Sequence, residues 1–554
     1  MIDKETAAGP AWTAKWPAAL LLAFAVAWFC NLDYRDLVRP DEGRYAEIAR
    51  EMAVTGDWVT PRLNGIKYFE KPPLQYWMTA AAYRAFGESE WTARLWAALT
   101  GFAGVLLTGF AGARLFGRTA GLCAAAVLAG SLLYAAIGHM NTLDMGLTFW
   151  LTAAMAGFLL AQESRATTQA RRWMLLAWAA AGAAFLSKGL IGLMLPAMSV
   201  SAYVLLQRDF TLLRRMQFGS GIAIFLAISA PWIVAVSLAN PEFARFFFIH
   251  EHFERFLTHE HNRVGAWWYF IPVLVAGLLP WTIMAAPAAW RAWKADAADA
   301  PFRPRRFLLL HAAIIFAFFS VSGSKLASYI LPLFPAVALL LGEWLAHVEG
   351  RRLARYMLPM AALALAGLAV APFIARFASE NRPAEMLQGL SIWLTAGFAL
   401  MLAACAGSWF LARRASVPTA VVILGCGGLL LVQMTMTGLQ SLSPSYSAAR
   451  AAQSAKPLLA AGVPFYSVKT YEHTLPFYIK RTVTLVDYGD ELEFGLQQQP
   501  ELRIASVQEF RSRWENDRQA LAIMGPDVYR DLAQQGLPMR LLYQDSRRVI
   551  VARS

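Results

Sequence analysis

Apolar residues gather in about thirteen long runs, near 17–31, 91–115, 119–138, 145–161, 173–187, 189–206, 218–239, 265–286, 307–321, 328–346, 357–375, 391–411 and 419–440. Backbone polar groups in lipid must be hydrogen-bonded within their own segment, so such runs predict membrane helices, some of them short for a span of roughly 20 residues. The first run, after Lys15, lacks a small-residue cleavage site and reads as a membrane helix rather than a removed leader. Beyond residue 440 the pattern changes. Apolar stretches shrink to strand length at Val463–Val468, Thr482–Val486, Ala520–Met524, Met539–Tyr543 and Val549–Ala552, with polar helical stretches at Ser506–Trp514 and Pro526–Gln534 between them. The prediction is an all-α polytopic membrane protein with a C-terminal soluble α/β domain. Residues 1–440 make the transmembrane unit, including a long loop at 32–90 that carries juxtamembrane helices, and 441–554 make the small domain. No internal repeat is evident, which weighs against a transporter built from duplicated halves.

Charge sets the orientation. The chain is 57% hydrophobic and 16% charged, with a net charge of +13. The positive charge is not spread over one surface, as nucleic-acid binding would need. It sits in short clusters between apolar runs: Arg114 and Arg118; Arg165, Arg171 and Arg172; Arg208, Arg214 and Arg215; Arg291, Lys294, Arg303, Arg305 and Arg306; Arg351, Arg352 and Arg355; Arg413 and Arg414. These loops alternate with loops poorer in net positive charge, so they and the N-terminus are expected to be cytoplasmic. The loop 32–90, the turns at 139–144, near Lys188 and at 322–326, the loop 240–264 and the C-terminal tail then lie on the far side. The four cysteines, Cys30, Cys123, Cys405 and Cys426, all fall in apolar segments without metal-ligand spacing and read as small buried hydrophobes.

The chemistry collects on that far side. The first loop opens with Arg39-Pro40-Asp41-Glu42-Gly43-Arg44-Tyr45. Pro40 cannot continue a preceding helix, and two acids suit a helix N-terminus. Tyr45, Ile48, Ala49 and Met52 follow at helical spacing, which predicts a helix lying on the membrane surface. A capping acid alone would need neither the second acid nor the flanking arginines, so Asp41 is a candidate catalytic group. The loop closes with Tyr68-Phe69-Glu70-Lys71-Pro72-Pro73-Leu74-Gln75-Tyr76-Trp77. The Pro-Pro pair holds Lys71 in an extended turn before an interfacial helix, with Tyr76 and Trp77 suited to the headgroup belt, so Lys71 is placed to meet a lipid phosphate. Tyr68 is a further candidate in this motif. Asp144, after His139-Met140-Asn141-Thr142-Leu143, sits at the start of a membrane helix, where an ionisable group points to function. Lys188 and Lys325 lie in tight far-side turns near bilayer depth, where an anionic partner would offset their burial, and the competing reading is a lysine reaching out to the interface. Loop 240–264 adds Arg245, His250, Glu251, His252, Arg255, His259 and His261. On a helix His250 and His252 diverge, while on an extended segment they align, and with Glu70 or an Asp they could hold a divalent metal; solvated interface histidines are the alternative.

Together these motifs resemble the GT-C glycosyltransferases, in particular the bacterial lipid A aminoarabinose transferases and, beyond them, the dolichyl-phosphate-mannose type of protein O-mannosyltransferase. The resemblance rests on Arg39–Tyr45, on Phe69–Pro73 with Tyr76 and Trp77, and on Ser324-Lys325 followed by Tyr329, Pro332 and Pro335. It implies a multi-pass protein of the bacterial inner membrane that works as a monomer, with its C-terminus and active site in the periplasm. The implied donor is a sugar on undecaprenyl phosphate, here 4-amino-4-deoxy-L-arabinose. The implied acceptor is lipid A, a lipopolysaccharide modification that protects against polymyxin and other cationic antimicrobial peptides. By the same resemblance Asp41 matches an essential first-loop acid, and Lys71 and Arg44 match positions near the carrier phosphate. Glu70, Asp144 and the His250/His252 loop are carried over less securely.

A polyprenyl-phosphate sugar is already activated, which agrees with a sequence that has no nucleotide-cofactor loop. Lys71, Arg44, Arg255 and Lys325 are the candidate cations for charge growing on the leaving phosphate. If the acceptor is a hydroxyl, Asp41 acts as general base; if it is a phosphate, Asp41 orients the acceptor or contacts the sugar's ammonium group. A transporter or flippase should carry ionisable residues near helix centres, whereas here they collect at one end. A structural scaffold leaves the paired acids and Lys-Pro-Pro unexplained.

Overall fold

The computed structural model describes residues 15–254, 265–296, 302–380, 382–414 and 416–553, with backbone alone for 15–20 and 250–254. All thirteen apolar stretches fall on helix, beginning with α1 (Lys15–Phe29). Among the described residues eight helices are long and apolar enough to cross a membrane, and a bent pair, Phe270–Gly277 with Thr282–Ala295, makes up to nine. Of the remaining stretches, 17–31 and 189–206 lie on helices of 15 and 17 residues, and 173–187 lies on an unbroken helix of 22 residues, Thr167–Lys188, that carries Arg171, Arg172 and Lys188. The 119–138 stretch divides into α5 (Arg118–Gly130) and α6 (Leu132–Ile137), and the bent pair turns by 100°. The two breaks meet: the Leu132 N–H at one donates to the Leu279 carbonyl at the other over 3.2 Å. Broken helix is tolerated at membrane depth where neighbouring protein pairs the freed backbone groups in this way.

At one end of the bundle the first loop folds into α2 (Asp41–Thr55), a small hairpin of β1 (Arg62–Leu63) and β2 (Ile66–Lys67), and α3 (Leu74–Phe86). The α2 helix stops at Gly56, whose φ of 74° suits a residue without Cβ. The tail folds into a six-stranded sheet of order β5-β4-β3-β6-β8-β7. Its strands are β3 (Phe465–Val468), β4 (Thr484–Val486), β5 (Arg503–Ile504), β6 (Leu521–Met524), β7 (Arg540–Gln544) and β8 (Val549–Ala552). The first four are parallel, and β8 and β7 close the edge antiparallel. Strand β5 was not expected, because two residues carry no alternation to read.

Loop and tail share one core. Tyr45, Ile48, Ala49 and Met52 are buried as expected of an apolar face, but they join Tyr471, Leu475, Phe477 and Leu485 of the tail. The helix is therefore covered by protein, not laid on lipid. Tyr76 is likewise fully buried, its ring 6.0 Å from that of Tyr45, and so is not in a headgroup belt. Periodicity shows that a face is apolar without showing what covers it. The contact is close at Gly43, where an added Cβ would lie 2.7 Å from the His473 carbonyl oxygen. Asn64 and Val483 exchange two hydrogen bonds, of 2.8 and 2.7 Å, across the same junction.

Candidate functional site

The two adjacent acids at the start of α2 have different surroundings. Glu42 points into the bundle, 1% exposed, and is held from several sides. Arg94, on α4 (Glu90–Phe116), donates to both of its oxygens at 2.8 and 3.0 Å, Arg35 at 3.3 Å, and the backbone N–H groups of Val38 and Asn141 at 2.9 and 3.0 Å. Burial alone would raise the Glu42 pKa, but Arg94 and Arg35 outweigh it and hold it at about 2. Glu42 is thus a structural anchor tying the loop to the membrane helices, and the paired acids need no shared chemical role. Asp41 faces the other way with its side chain 26% exposed, and takes one ion pair, from Arg44 at 2.9 Å.

Arg44 continues this arrangement into the tail. Its Nη1 donates to Asp41, while Nε and Nη2 both donate to Glu491, which also accepts from His473 Nε2 at 2.6 Å. Burial works against the charge on Arg44, and its carboxylate partners Glu491 and Asp41 outweigh it, raising its pKa. Burial would likewise raise Glu491, but His473 and Arg44 bring it down to about 2. Arg44, expected as a phosphate ligand, instead bridges two carboxylates. Tyr68 lies beside it, fully buried, with its hydroxyl pKa raised by burial first and by Glu70 and Glu491 against the opposing effect of Arg44.

The second half of the site comes from the membrane helices. Asp144 is at the first turn of α7 (Leu143–Glu163), and Lys188 ends α8 (Thr167–Lys188). They form an ion pair with each other. Ser328 donates to the other Asp144 oxygen at 2.7 Å, and the Lys188 ammonium sits 4.6 Å from the centre of the Tyr329 ring. Asp41 is close enough to act electrostatically on Lys188, and both Asp41 and Asp144 act on Tyr45. The two expected acids, Asp41 and Asp144, therefore share one neighbourhood where the soluble body meets the membrane helices.

Glu70 and Lys71 border it. Glu70 acts electrostatically on Tyr68 and Tyr76, and Lys71 Nζ donates to the Glu70 carbonyl at 2.7 Å. Phe69 anchors this turn against Phe243, ring centres 5.3 Å apart, so the Lys-Pro-Pro segment is fastened to the start of the 240–264 loop. Lys325 is placed differently from expectation. Its ammonium donates to the carbonyls of Phe319, Ser320 and Ser322, at 2.9, 2.6 and 2.6 Å. All three of its N–H groups cap the end of helix Pro304–Val321, where cations are favoured, and none is left for a phosphate in this arrangement. Arg255 and the side chains of His250 and His252 lie outside the described residues. Among the described residues no three His, Cys, Asp or Glu side chains gather to hold a metal.

Sequence reasoning missed Glu491, His473 and Ser328. The first two sit in a polar stretch of the tail with no helical or strand periodicity, and no local signal links them to Arg44.

Comparison with known proteins yields the following. A family model described as the aminoarabinose transferase C-terminal domain matches residues 451–553, and one described as dolichyl-phosphate-mannose-protein mannosyltransferase matches residues 16–247. The undecaprenyl phosphate-alpha-4-amino-4-deoxy-L-arabinose arabinosyl transferase of Aeromonas salmonicida is 36% identical over 330 residues, a match spanning 59% of this chain and 59% of that relative's length. The protein of the same description from Erwinia tasmaniensis is 31% identical over 515 residues, 89% of each chain. The crystal structure of ArnT from Cupriavidus metallidurans bound to undecaprenyl phosphate superimposes with a TM-score of 0.93 at 38% identity, covering 98% of both chains.

Proposed function

This chain belongs to the undecaprenyl phosphate-alpha-4-amino-4-deoxy-L-arabinose arabinosyl transferase family, and from that we propose that it transfers 4-amino-4-deoxy-L-arabinose from undecaprenyl phosphate to a phosphate of lipid A at the periplasmic face of the inner membrane. The observation that carries the reading is that the Asp41–Arg44 and Asp144–Lys188 ion pairs lie within electrostatic range of each other where a soluble body joins the membrane helices. A lipid-borne donor and a lipid-borne acceptor both present their reacting groups at that depth. The arginine clusters at the opposite helix ends, such as Arg305 beside Asp296 and Glu343, support a cytoplasmic assignment for that face.

The reaction is a displacement. An oxygen of the acceptor phosphate attacks the anomeric carbon, the bond from that carbon to the carrier phosphate oxygen breaks, and its electron pair leaves with undecaprenyl phosphate. The configuration inverts. A phosphate with a second pKa of about 6 is largely ionised at neutral pH, so the acceptor needs positioning more than deprotonation. We assign Asp41 to that task, its charge directed at the acceptor or at the ammonium group of the sugar. Lys71 takes the leaving phosphate, where a fixed cation lowers the barrier because charge grows there in the transition state. Asp144 holds Lys188 at the membrane side of the site. No step is routed through a metal. A divalent ion on Glu70, His250 and His252 stands as a separate proposal, read by elemental analysis of the purified protein.

Incubating the purified protein with the aminoarabinose donor and lipid A, with products read by mass spectrometry, tests the reading. Lipid A should gain the mass of one aminopentose residue. An unchanged lipid A would refute it. The mannosyltransferase match over residues 16–247 favours a second reading, sugar transfer to a protein hydroxyl, which glycosylated protein in the same assay would reveal.

A further inference from the structure

We infer that the C-terminal domain completes the active site, with Glu491 and His473 acting as positioning residues that aim Asp41 through Arg44. This rests on the transferase reading above and extends it to the C-terminal domain. The geometry has three links. His473 Nε2 lies 2.6 Å from Glu491 Oε1, and Glu491 receives two N–H groups of the Arg44 guanidinium. Arg44 Nη1 then holds Asp41 Oδ1 at 2.9 Å. A guanidinium is planar and rigid, so fixing its Nε–Nη2 edge on Glu491 fixes the direction in which Nη1 presents Asp41. Without Glu491 the arginine would keep its charge but lose its orientation.

The surroundings are built to keep this register. Arg44, Glu491 and His473 have side chains only 8%, 13% and 12% exposed, so water competes weakly for these bonds. Gly43, between Asp41 and Arg44, brings the backbone of α2 against the His473 carbonyl at a distance no side chain would permit. Phe494, three residues past Glu491, stacks on Phe246 at 3.9 Å, which ties the same turn to the 240–264 loop. Asp41 is the most exposed member and the only one of the four at the open end. No hydrogen bond from a described residue reaches its Oδ2, which is left for substrate. Nothing in this arrangement asks Glu491 or His473 to touch substrate.

The test is a double-mutant cycle in the full-length protein, with kcat, donor KM and thermal midpoint measured for wild type, Glu491→Gln, Arg44→Lys and the double variant. Gln keeps the size and an acceptor oxygen but loses the charge, so the fold should survive. Misaimed catalytic groups cost up to about 100-fold. We expect Glu491→Gln to lower kcat about tenfold or more while donor KM moves less than about twofold, and to add almost nothing once Arg44 is Lys, as coupled residues do. A lone structural role would instead lower the thermal midpoint and leave kcat per folded molecule intact. His473→Leu keeps the Arg44–Glu491 pair and is the second arm, with an expected kcat loss of about threefold that also vanishes in the Arg44→Lys background. Full kcat in both tail variants, or losses that multiply with Arg44→Lys, overturns the inference. A wild type that transfers no sugar overturns the functional reading beneath it.

Discussion

Two carboxylate–arginine clusters begin one residue apart and teach opposite lessons. The cluster around Glu42 is closed: two arginines and two backbone N–H groups serve a side chain that is 1% exposed. The cluster around Asp41 is open: one arginine, itself held by the tail, serves a carboxylate at the mouth of the site. A buried charge saturated with partners gives rigidity and has no bonding capacity left for a ligand. A charge fixed on one side only is oriented and still available. The proline-led helix start sends neighbouring residues in different directions, so a single short motif supplies both the anchor and the candidate catalytic acid.

That contrast can be broken by substitution, and the largest effect should come from Asp41. Asp41→Asn keeps the shape and an oxygen that can accept from Arg44, yet transfer should fall about 10²–10⁴-fold in the mass-spectrometric assay. Glu42→Gln should do the reverse. It leaves Arg94, which is fully buried, without its countercharge, and breaking such a pair costs about 3–5 kcal/mol. The result should be a lower thermal midpoint and poor recovery from the membrane, whatever the residual activity per folded molecule. Lys71→Ala is next. Losing one charge-assisted contact costs about 1.5–3 kcal/mol, so undecaprenyl phosphate should bind at least about tenfold more weakly, and unchanged binding would remove Lys71 from the phosphate site.

The smallest effect concerns pH and sharpens the comparison within the same helix. Burial, with the nearby Glu47, raises Glu51 to about 8 against the opposing contacts from Gly65, Arg50 and Asn64. An acid whose folded pKa is raised binds its proton more tightly when folded, so its contribution favours the fold at low pH and is lost as pH rises from about 4.5 through about 8. Glu491, held at about 2, contributes the opposite slope, present above about 4.5 and lost on acidification towards 2. Of these two acids only Glu51 changes its protonation on folding between pH 5 and 8. The midpoint difference between wild type and Glu51→Gln, which can still accept the Gly65 N–H, isolates that slope: wild type should lose stability relative to the variant as pH rises from 5 to 8. Equal slopes would mean Glu51 is ionised throughout.

Much of the architecture was legible because membrane helices and buried strands announce themselves in runs of apolar residues. The expected helix Pro526–Gln534 and strand Val549–Ala552 match the structure residue for residue. Candidate groups were legible where one motif carried them, as at Asp41 and Lys71, whose roles are proposals. Pairings across the chain were not. Lys188 meets Asp144 across 44 residues and Arg44 meets Glu491 across 447, and neither partner bears a local sign of the other. Lys325 misled for a related reason: a lysine after Ser-Gly-Ser looks the same in sequence whether its ammonium faces a phosphate or turns back onto the carbonyls of its own helix end. The apolar face of α2 was visible, but the cover over it is a domain about 400 residues downstream.

The central claim is that the open end of the Asp41–Arg44–Glu491 chain is where transfer occurs. The most direct measurement is undecaprenyl phosphate binding and sugar transfer on one preparation of Asp41→Asn. The account predicts carrier affinity within about twofold of wild type and an unchanged thermal midpoint, with transfer reduced at least about 100-fold. Transfer close to wild type in a variant that binds the carrier normally would contradict it, leaving Asp41 as a structural partner of Arg44 and moving the chemistry to Asp144 or Glu70.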